Sequence, residues 1–331
     1  MLELHAVNCL LNLVNVDATA MANPFEELSD AFTVGGYRLG SVIARPTPAP
    51  ISQGAVSLLA PGVALSLRKR RFMIERHLQR VEPSLTGFAL HRASQQAFDS
   101  YMRYYTESFR LPTLSAKHVL RSLSNDGFHY IESALERGKG AIVALPHLGG
   151  WEWAGRWMAE MGHRMTVIVE PLEPPELFDW FTKLRSDLGM NVVPLGPGAA
   201  PAVLAALRRN EVVCLLSDRD IQGNGVEVEF FGERTTLPAG PAMLGIRSGA
   251  AVVPGAVYFT SAIDGHHCVI RPPLVFEKVG GLREQVAAGT QALAIELEGL
   301  IRRAPEQWHL FQPNWPSDPG YAEMRARSIA E

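Results

Sequence analysis

Beyond Gly138 the chain settles into an alternation that leaves few folds open to it. Apolar runs of strand length stand at Ala141–Leu145, Met165–Val169, 191–195 and Val212–Leu216, and helix-compatible segments fill the gaps at 151–161, 175–188 and 199–209. Runs without a polar face belong to strands covered on both sides, and strands alternating with helices form parallel βαβ units. The expectation is an α/β protein: a largely parallel central β-sheet covered by helices on both faces, with an N-terminal helical segment. Ligands of such sheets bind outside the carboxyl ends of the strands. The residues that follow each run therefore gather at one rim: His147 after the first, Glu170 after the second, Pro194-Leu195-Gly196 after the third and Ser217-Asp218-Arg219-Asp220 after the fourth.

The remainder is read around that core. At 331 residues the chain can bury a sizeable core, and we expect a single domain overall. Residues 1–50 form a poorly defined N-terminal extension ending in the stiff run Arg45-Pro-Thr-Pro-Ala-Pro50. Met21 offers an alternative start, and residues 1–20 are expected to be dispensable. Residues 51–130 form a helical segment packed on the core, and residues 131–331 the α/β core. Large apolar groups at helical spacing over 98–111 mark a core-facing helix. A strand at 226–232 carries valines on one face and Glu227 and Glu229 on the other; a small-residue helix (242–248), strands at 251–259 and 267–271, and an amphipathic helix at 282–303 follow. The aromatic run Gln307-Trp-His-Leu-Phe-Gln-Pro-Asn-Trp315 should pack back on the body.

The net charge of −3 hides one cationic block, Arg68-Lys-Arg-Arg71 with Arg76 and Arg80. Two readings fit it, a solvated helix face and a surface for anionic lipid headgroups or phosphate-bearing ligands. Nucleic acid is not expected as a partner, because no aromatic platform is interleaved with these charges. Cys9, Cys214 and Cys268 are too scattered for a disulfide framework or a zinc site, and no metal is expected. No window reaches the roughly 18 apolar residues that a bilayer span requires.

The stretch from Gly140 to Gly155 carries the chemistry. A strand delivers His147 through Pro146, two glycines free the backbone to approach a bound group, and Glu152 follows five residues after the ring. An imidazole at a strand end, beside a carboxylate, suits removal of a proton from a hydroxyl. The amides of Gly149 and Gly150 are candidate donors to an oxyanion. Arg185 and Arg219 are candidate phosphate ligands through fork geometry. Glu170 could anchor a sugar hydroxyl or an arginine, and Glu229 is retained as a weaker substrate-binding candidate, its position also fitting the wet face of a strand.

The His-x4-Glu element resembles the His-x4-Asp/Glu signature of glycerolipid and lipid A type acyltransferases. A larger ordered set is more specific: Leu-Pro-His147-Leu-Gly-Gly-Trp-Glu152, Val-Glu170-Pro, Lys-Leu-Arg185-Ser-Asp-Leu-Gly189, Ser-Asp218-Arg-Asp220, Val-Glu-Val-Glu-Phe-Phe-Gly-Glu233, Leu-Pro-Ala-Gly-Pro241 and the 307–315 run. It resembles the phosphatidylinositol mannoside acyltransferases of actinobacteria over about residues 101–315. The resemblance implies transfer of a long acyl chain from acyl-CoA, a donor substrate and not a cofactor, to a mannose hydroxyl of phosphatidylinositol mannoside. The enzyme would be peripheral, on the cytoplasmic face of the plasma membrane, and 51–130 would be its membrane-interface segment. It also implies that His147 is the base, that Asp218 pairs with it, that Glu152 faces away, and that Arg185 and Asn224 lie in the acyl-CoA site. One departure matters: the family pattern has Glu-Arg-Asp where this chain has Asp218-Arg219-Asp220. Either His147 sits closer to its acid or Glu152 takes the orienting role, and the shared rim favours Asp218.

Rival classes fare worse. There is no Gly-x-Ser-x-Gly elbow for a serine esterase, Gly196-Pro-Gly198-Ala-Ala-Pro201 lacks the third glycine of a dinucleotide loop, and His266-His267-Cys268 alternate along a strand and cannot all face one ion. Two alternatives stay open: an acyltransferase acting on another glycolipid or a lysophospholipid, and a non-catalytic acyl-CoA- or lipid-binding homologue.

Overall fold

A computed structural model describes residues 24–330. Helices α1 (Pro24–Ala44), α2 (Ala49–Ser66), α3 (Arg68–Val81), α4 (Gly87–Arg110) and α5 (Ala116–Arg121) precede the first strand, β1 (Leu123–Asp126). Then come α6 (His129–Glu136), β2 (Ala141–Leu145), α7 (Trp151–Glu160), β3 (Met165–Val169), α8 (Pro175–Asp187), β4 (Met190–Pro194), α9 (Ala199–Arg208) and β5 (Val212–Leu216). A hairpin of β6 (Val226–Phe230) and β7 (Glu233–Leu237) leads to α10 (Gly240–Ser248), β8 (Ala251–Phe259), β9 (His266–Ile270), α11 (Leu282–Ile301) and α12 (Tyr321–Ala330).

Seven strands form one sheet in the order β1-β9-β8-β2-β5-β3-β4. All neighbours are parallel except β8 and β9. The fold class expected from the alternation is the one observed. Successive residues of β2 enter opposite cores: Ile142 and Ala144 pack with α9, α10, α11 and the 308–315 segment, Ala141 and Val143 with α4 to α8. Both faces being covered is what makes the central strands uniformly apolar.

The strand expected at 226–232 is present as β6, which pairs only with β7, burying Val228 and Phe230 and exposing Glu227 and Glu229. Two features differ from the sequence reading. β1 joins the main sheet from within 51–130, so residue 130 does not divide a helical layer from the core. Of its four residues only Leu123 is buried, and pairing with β9, not an apolar run, makes it a strand. Within 1–50, α1 is a 21-residue helix despite Gly35, Gly36 and Gly40. Tertiary packing outweighs that low propensity: Tyr37 inserts among Tyr105, Phe109, Trp180 and Phe181. The expectation for residues 1–20 lies outside the described residues.

The aromatic run does pack back. Trp308, Leu310, Phe311 and Trp315 are buried, and Asp318 anchors the segment by accepting from the amides of Asn314 and Trp315 and from Arg76, Arg80 and His77.

Candidate active site

The sheet register sets the central pair. Leu145 of β2 lies opposite Leu216 of β5, and the Ser217 amide donates to the Leu145 carbonyl at 2.8 Å. The residues leaving the two strands are thus side by side, which puts Asp218 next to His147. Asp218 Oδ1 lies 2.7 Å from His147 Nδ1, and Oδ2 accepts from the His147 amide at 3.0 Å. An ionised carboxylate only accepts, so Nδ1 carries the proton and Nε2 is left as the basic nitrogen. The aspartate reaches the ring directly.

Asp218 is fully buried. Burial alone would raise its pKa, but the charge and hydrogen bonds of His147 and the indole of Trp308 outweigh it and hold the carboxyl below its ordinary value. The His147 side chain keeps 21% of its surface accessible, so an acceptor can reach the ring while the acid behind it stays dry.

Three contacts come from the aromatic run and were not foreseen residue by residue. Trp308 Nε1 donates to Asp218 Oδ2 at 2.7 Å, Asn314 Nδ2 donates to the Asp218 carbonyl at 3.2 Å, and the His309 amide donates to the His147 carbonyl at 2.7 Å. The available signal was chemical: a buried indole or amide must find an acceptor. His309 also belongs to the wall. Its Nε2 meets Ser100 Oγ at 2.8 Å, and burial, then the charge of His147, push its pKa down to about 3, so it is neutral.

Glu152 does not touch His147. It is buried in the first turn of α7 and accepts from Arg185 Nε and Nη2 at 2.8 and 2.5 Å and from Tyr104 Oη at 3.1 Å. This corrects its candidacy as a catalytic acid: its charge is committed to Arg185, as the facing-away orientation implied. Arg185 is correspondingly enclosed. Burial lowers its pKa, but the Glu152 carboxylate and Tyr104 hydroxyl outweigh that and raise it above its usual value. Two of its three guanidinium nitrogens are engaged, and the third, Nη1, is buried without a hydrogen-bond partner among the described residues.

The glycine amides require a second correction. Gly149 donates to the Gln307 carbonyl at 3.0 Å and Gly150 to the Val257 carbonyl at 3.1 Å, so neither is open to an oxyanion. The glycines serve close packing instead: Gly149 has φ of 61°, and a Cβ there would overlap the Val257 carbonyl oxygen.

Arg219 and Glu170 meet each other, Nη2 to Oε2 at 2.5 Å, at the rim beside Asp218, and Arg219 Nε is buried with no hydrogen-bond partner among the described residues. Asn224 is exposed on the same 217–225 loop. That loop is closed by Asp220, which accepts from the Gly225 amide, Thr236 and Arg325. Glu229 is exposed on β6, where only its backbone is engaged, by Gln291; nothing couples its carboxylate to the His147–Asp218 pair.

The arrangement contains an imidazole and its acid, and among the described residues no serine or cysteine beside them is set up as a nucleophile. Ser217 is buried and donates to the Leu215 carbonyl, and burial pushes the Cys214 and Cys268 thiols up to about 12, far from thiolate. Among the described residues there is no group of three or more His, Cys, Asp or Glu side chains that could hold a metal ion. The cationic block is partly spent internally. Arg71 pairs with Glu75, Arg76 with Asp318, and Arg80 with Glu233 and Asp318 while lying over Trp315; Arg68 and Lys69 remain exposed.

Comparison with known proteins adds names to this geometry. The family model for bacterial lipid A biosynthesis acyltransferases matches residues 36–317. The phosphatidylinositol mannoside acyltransferase of Mycolicibacterium smegmatis is 37% identical over 88% of this chain and 94% of its own length. The Mycobacterium tuberculosis protein of the same name is 38% identical over 70% and 73%. A lipid A biosynthesis acyltransferase of Haemophilus influenzae is 26% identical over 73% and 74%. A doubly covered parallel sheet, an imidazole and acid at its rim, and a match reaching from α1 through the aromatic run converge on one assignment: this chain belongs to the bacterial lipid A biosynthesis acyltransferase family.

Proposed function

We propose that this acyltransferase moves a long acyl chain from acyl-CoA to a mannose hydroxyl of phosphatidylinositol mannoside, with His147 as general base and no acyl-enzyme. The observation that carries the reading is the His147 Nδ1 to Asp218 Oδ1 contact at 2.7 Å. It leaves Nε2 basic in a ring that is part exposed. The acceptor hydroxyl gives its proton to Nε2 as its oxygen bonds to the thioester carbonyl carbon. Asp218 steadies the resulting imidazolium, which protonates the CoA thiolate when the tetrahedral intermediate collapses. A base so placed contributes roughly 10²–10⁴-fold. The choice of acceptor follows the names of the relatives at 37 and 38% identity.

Arg219 and Asn224 are assigned to donor or headgroup binding and Arg185 to the enclosed end of the acyl-CoA site, with Glu170 orienting Arg219. Docking is assigned to the cytoplasmic face of the plasma membrane, the side on which acyl-CoA is available. Leu39, Val42 and Ile43 of α1, Ile51 and Leu58 of α2 and Phe72 of α3 are exposed apolar groups, and Arg68 and Lys69 at the start of α3 are exposed cations; this supports a peripheral attachment. No helix among the described residues is long and apolar enough to cross a membrane.

The test is mass spectrometry of products after palmitoyl-CoA is offered with phosphatidylinositol mannoside, lysophospholipids and lipid A precursors. Acylated mannoside as the main product supports the proposal. Preference for another acceptor gives the reading of a related acyltransferase, and absence of any acylated product, with acyl-CoA bound, gives that of a non-catalytic homologue.

A further inference from the structure

We propose that Trp308 is a positioning residue for the proton transfer: its indole N–H holds Asp218 Oδ2, turns Oδ1 onto His147, and limits how strongly the carboxylate draws the ring's proton. The inference rests on the reading of His147 as the base and adds a residue whose only link to the reaction is through Asp218.

The fully buried carboxylate of Asp218 receives three N–H donors, Nδ1 and the backbone amide of His147 and the indole of Trp308. No arginine or lysine contacts it among the described residues. The anion is therefore held by dipoles, two of them on Oδ2, so loss of one changes its charge distribution markedly. The indole is placed with little freedom. Leu148 and Trp308 form an antiparallel bridge, and the ring is 4% exposed. It lies against His77 of α3, Phe230 and Phe231 of the hairpin, and Trp315, with centroids 5.7–6.2 Å away. That packing requires an aromatic ring, but phenylalanine could supply one. What only tryptophan brings is the N–H, and it ends 2.7 Å from the acid of the catalytic pair.

A Trp308→Phe variant keeps the ring and removes one of the two donors to Oδ2. The His147 amide still tethers that oxygen, so the carboxylate stays in place with more charge on Oδ1. The imidazolium is then better stabilised, and the His147 midpoint rises. The other ionisable groups around the pair are unaltered: His309 on the same segment, Asp220 and Arg219 on the acid's own loop, Glu152 of α7 paired with Arg185 of α8, Tyr104 of α4, and His77 with Asp318 behind the indole.

The experiment is an NMR titration of the His147 ring protons in wild type and Trp308→Phe, the resonance being assigned by its loss in His147→Gln. It needs no acyl substrate, so its outcome is independent of whether the transfer reaction is as proposed. The expected result is an upward displacement of about half a unit or more in Trp308→Phe, with Trp308→Gln, which restores an N–H, returning toward wild type. A midpoint in Trp308→Phe that is unmoved or displaced downward overturns the proposal, whatever happens to the rate. If Trp308→Phe is not recovered folded, the wild-type indole proton decides, read in protein labelled with ¹⁵N at its six tryptophans. An indole resonance that follows the His147 titration supports the role, and one indifferent to it overturns it.

Discussion

Asp218→Asn removes one charge and almost no volume, and the structure dictates how the amide will turn. In the native site Oδ2 faces two N–H donors, from the His147 amide at 3.0 Å and Trp308 at 2.7 Å, while Oδ1 faces one. Placing the amide NH2 against those two donors would leave both unmet in a dry site, at about 1–3 kcal/mol each. The total of roughly 2–6 kcal/mol fixes the asparagine oxygen toward the amide and the indole, so the NH2 faces the ring. His147 Nδ1 must then accept, its proton moves to Nε2, and the nitrogen that should receive the hydroxyl proton is blocked. The wrong tautomer at a related pair costs about 10⁴ in kcat, so we expect a loss between about 10² and 10⁴ at neutral pH with the fold intact. Initial rates of acyl transfer, with circular dichroism on the same sample, measure it. A folded Asp218→Asn protein within tenfold of wild type would refute the tautomer argument.

Four further outcomes are expected. His147→Ala loses about 10²–10⁴ of the transfer rate while acyl-CoA binding by calorimetry persists; unchanged turnover would place the base elsewhere. Glu152→Gln leaves Arg185 buried against a neutral group and costs about 3 kcal/mol of stability, seen as a melting point lowered by several degrees, with a smaller rate loss than Asp218→Asn. Asp318 is held far below the usual carboxylate range by His77 and by the amides of Asn314 and Trp315, which outweigh its burial. Because its folded pKa is depressed, its contribution is complete above the unfolded value near 4 and fades as pH falls below that; Asp318→Asn should therefore narrow the stability gap between pH 6 and pH 3, by denaturant titration. Leu39→Glu with Ile43→Glu, on the exposed face of α1, should lower partition onto anionic vesicles about tenfold or more in a flotation assay.

How much of this was legible without coordinates follows from where the information resides. The central strands were readable because β2 and β5 are buried on both faces and carry no polar alternation, and the rim rule then gathered His147 and Asp218 from residues far apart in sequence. β1 was illegible because Leu-Ser-Asn-Asp becomes a strand only when β9 supplies its hydrogen bonds. The same limit explains the misread glycines. A pair of small residues after a histidine advertises free amides, yet whether those amides are free depends on the carbonyls of Gln307 and Val257, which arrive more than a hundred residues later. Glu152 was ambiguous for a related reason: spacing placed it near the ring, while Arg185 and Tyr104 decided which way it turned.

The order in which the site is assembled follows from the grip of the aromatic run on the catalytic pair. A ribosome that has delivered every strand of the sheet has not yet delivered Trp308 or Asn314, and the Gln307 carbonyl that fixes Gly149 is also still missing. The nascent protein thus carries its histidine and its acid long before either is held in working alignment. The contacts that align the pair are therefore the last to become available as the chain is made.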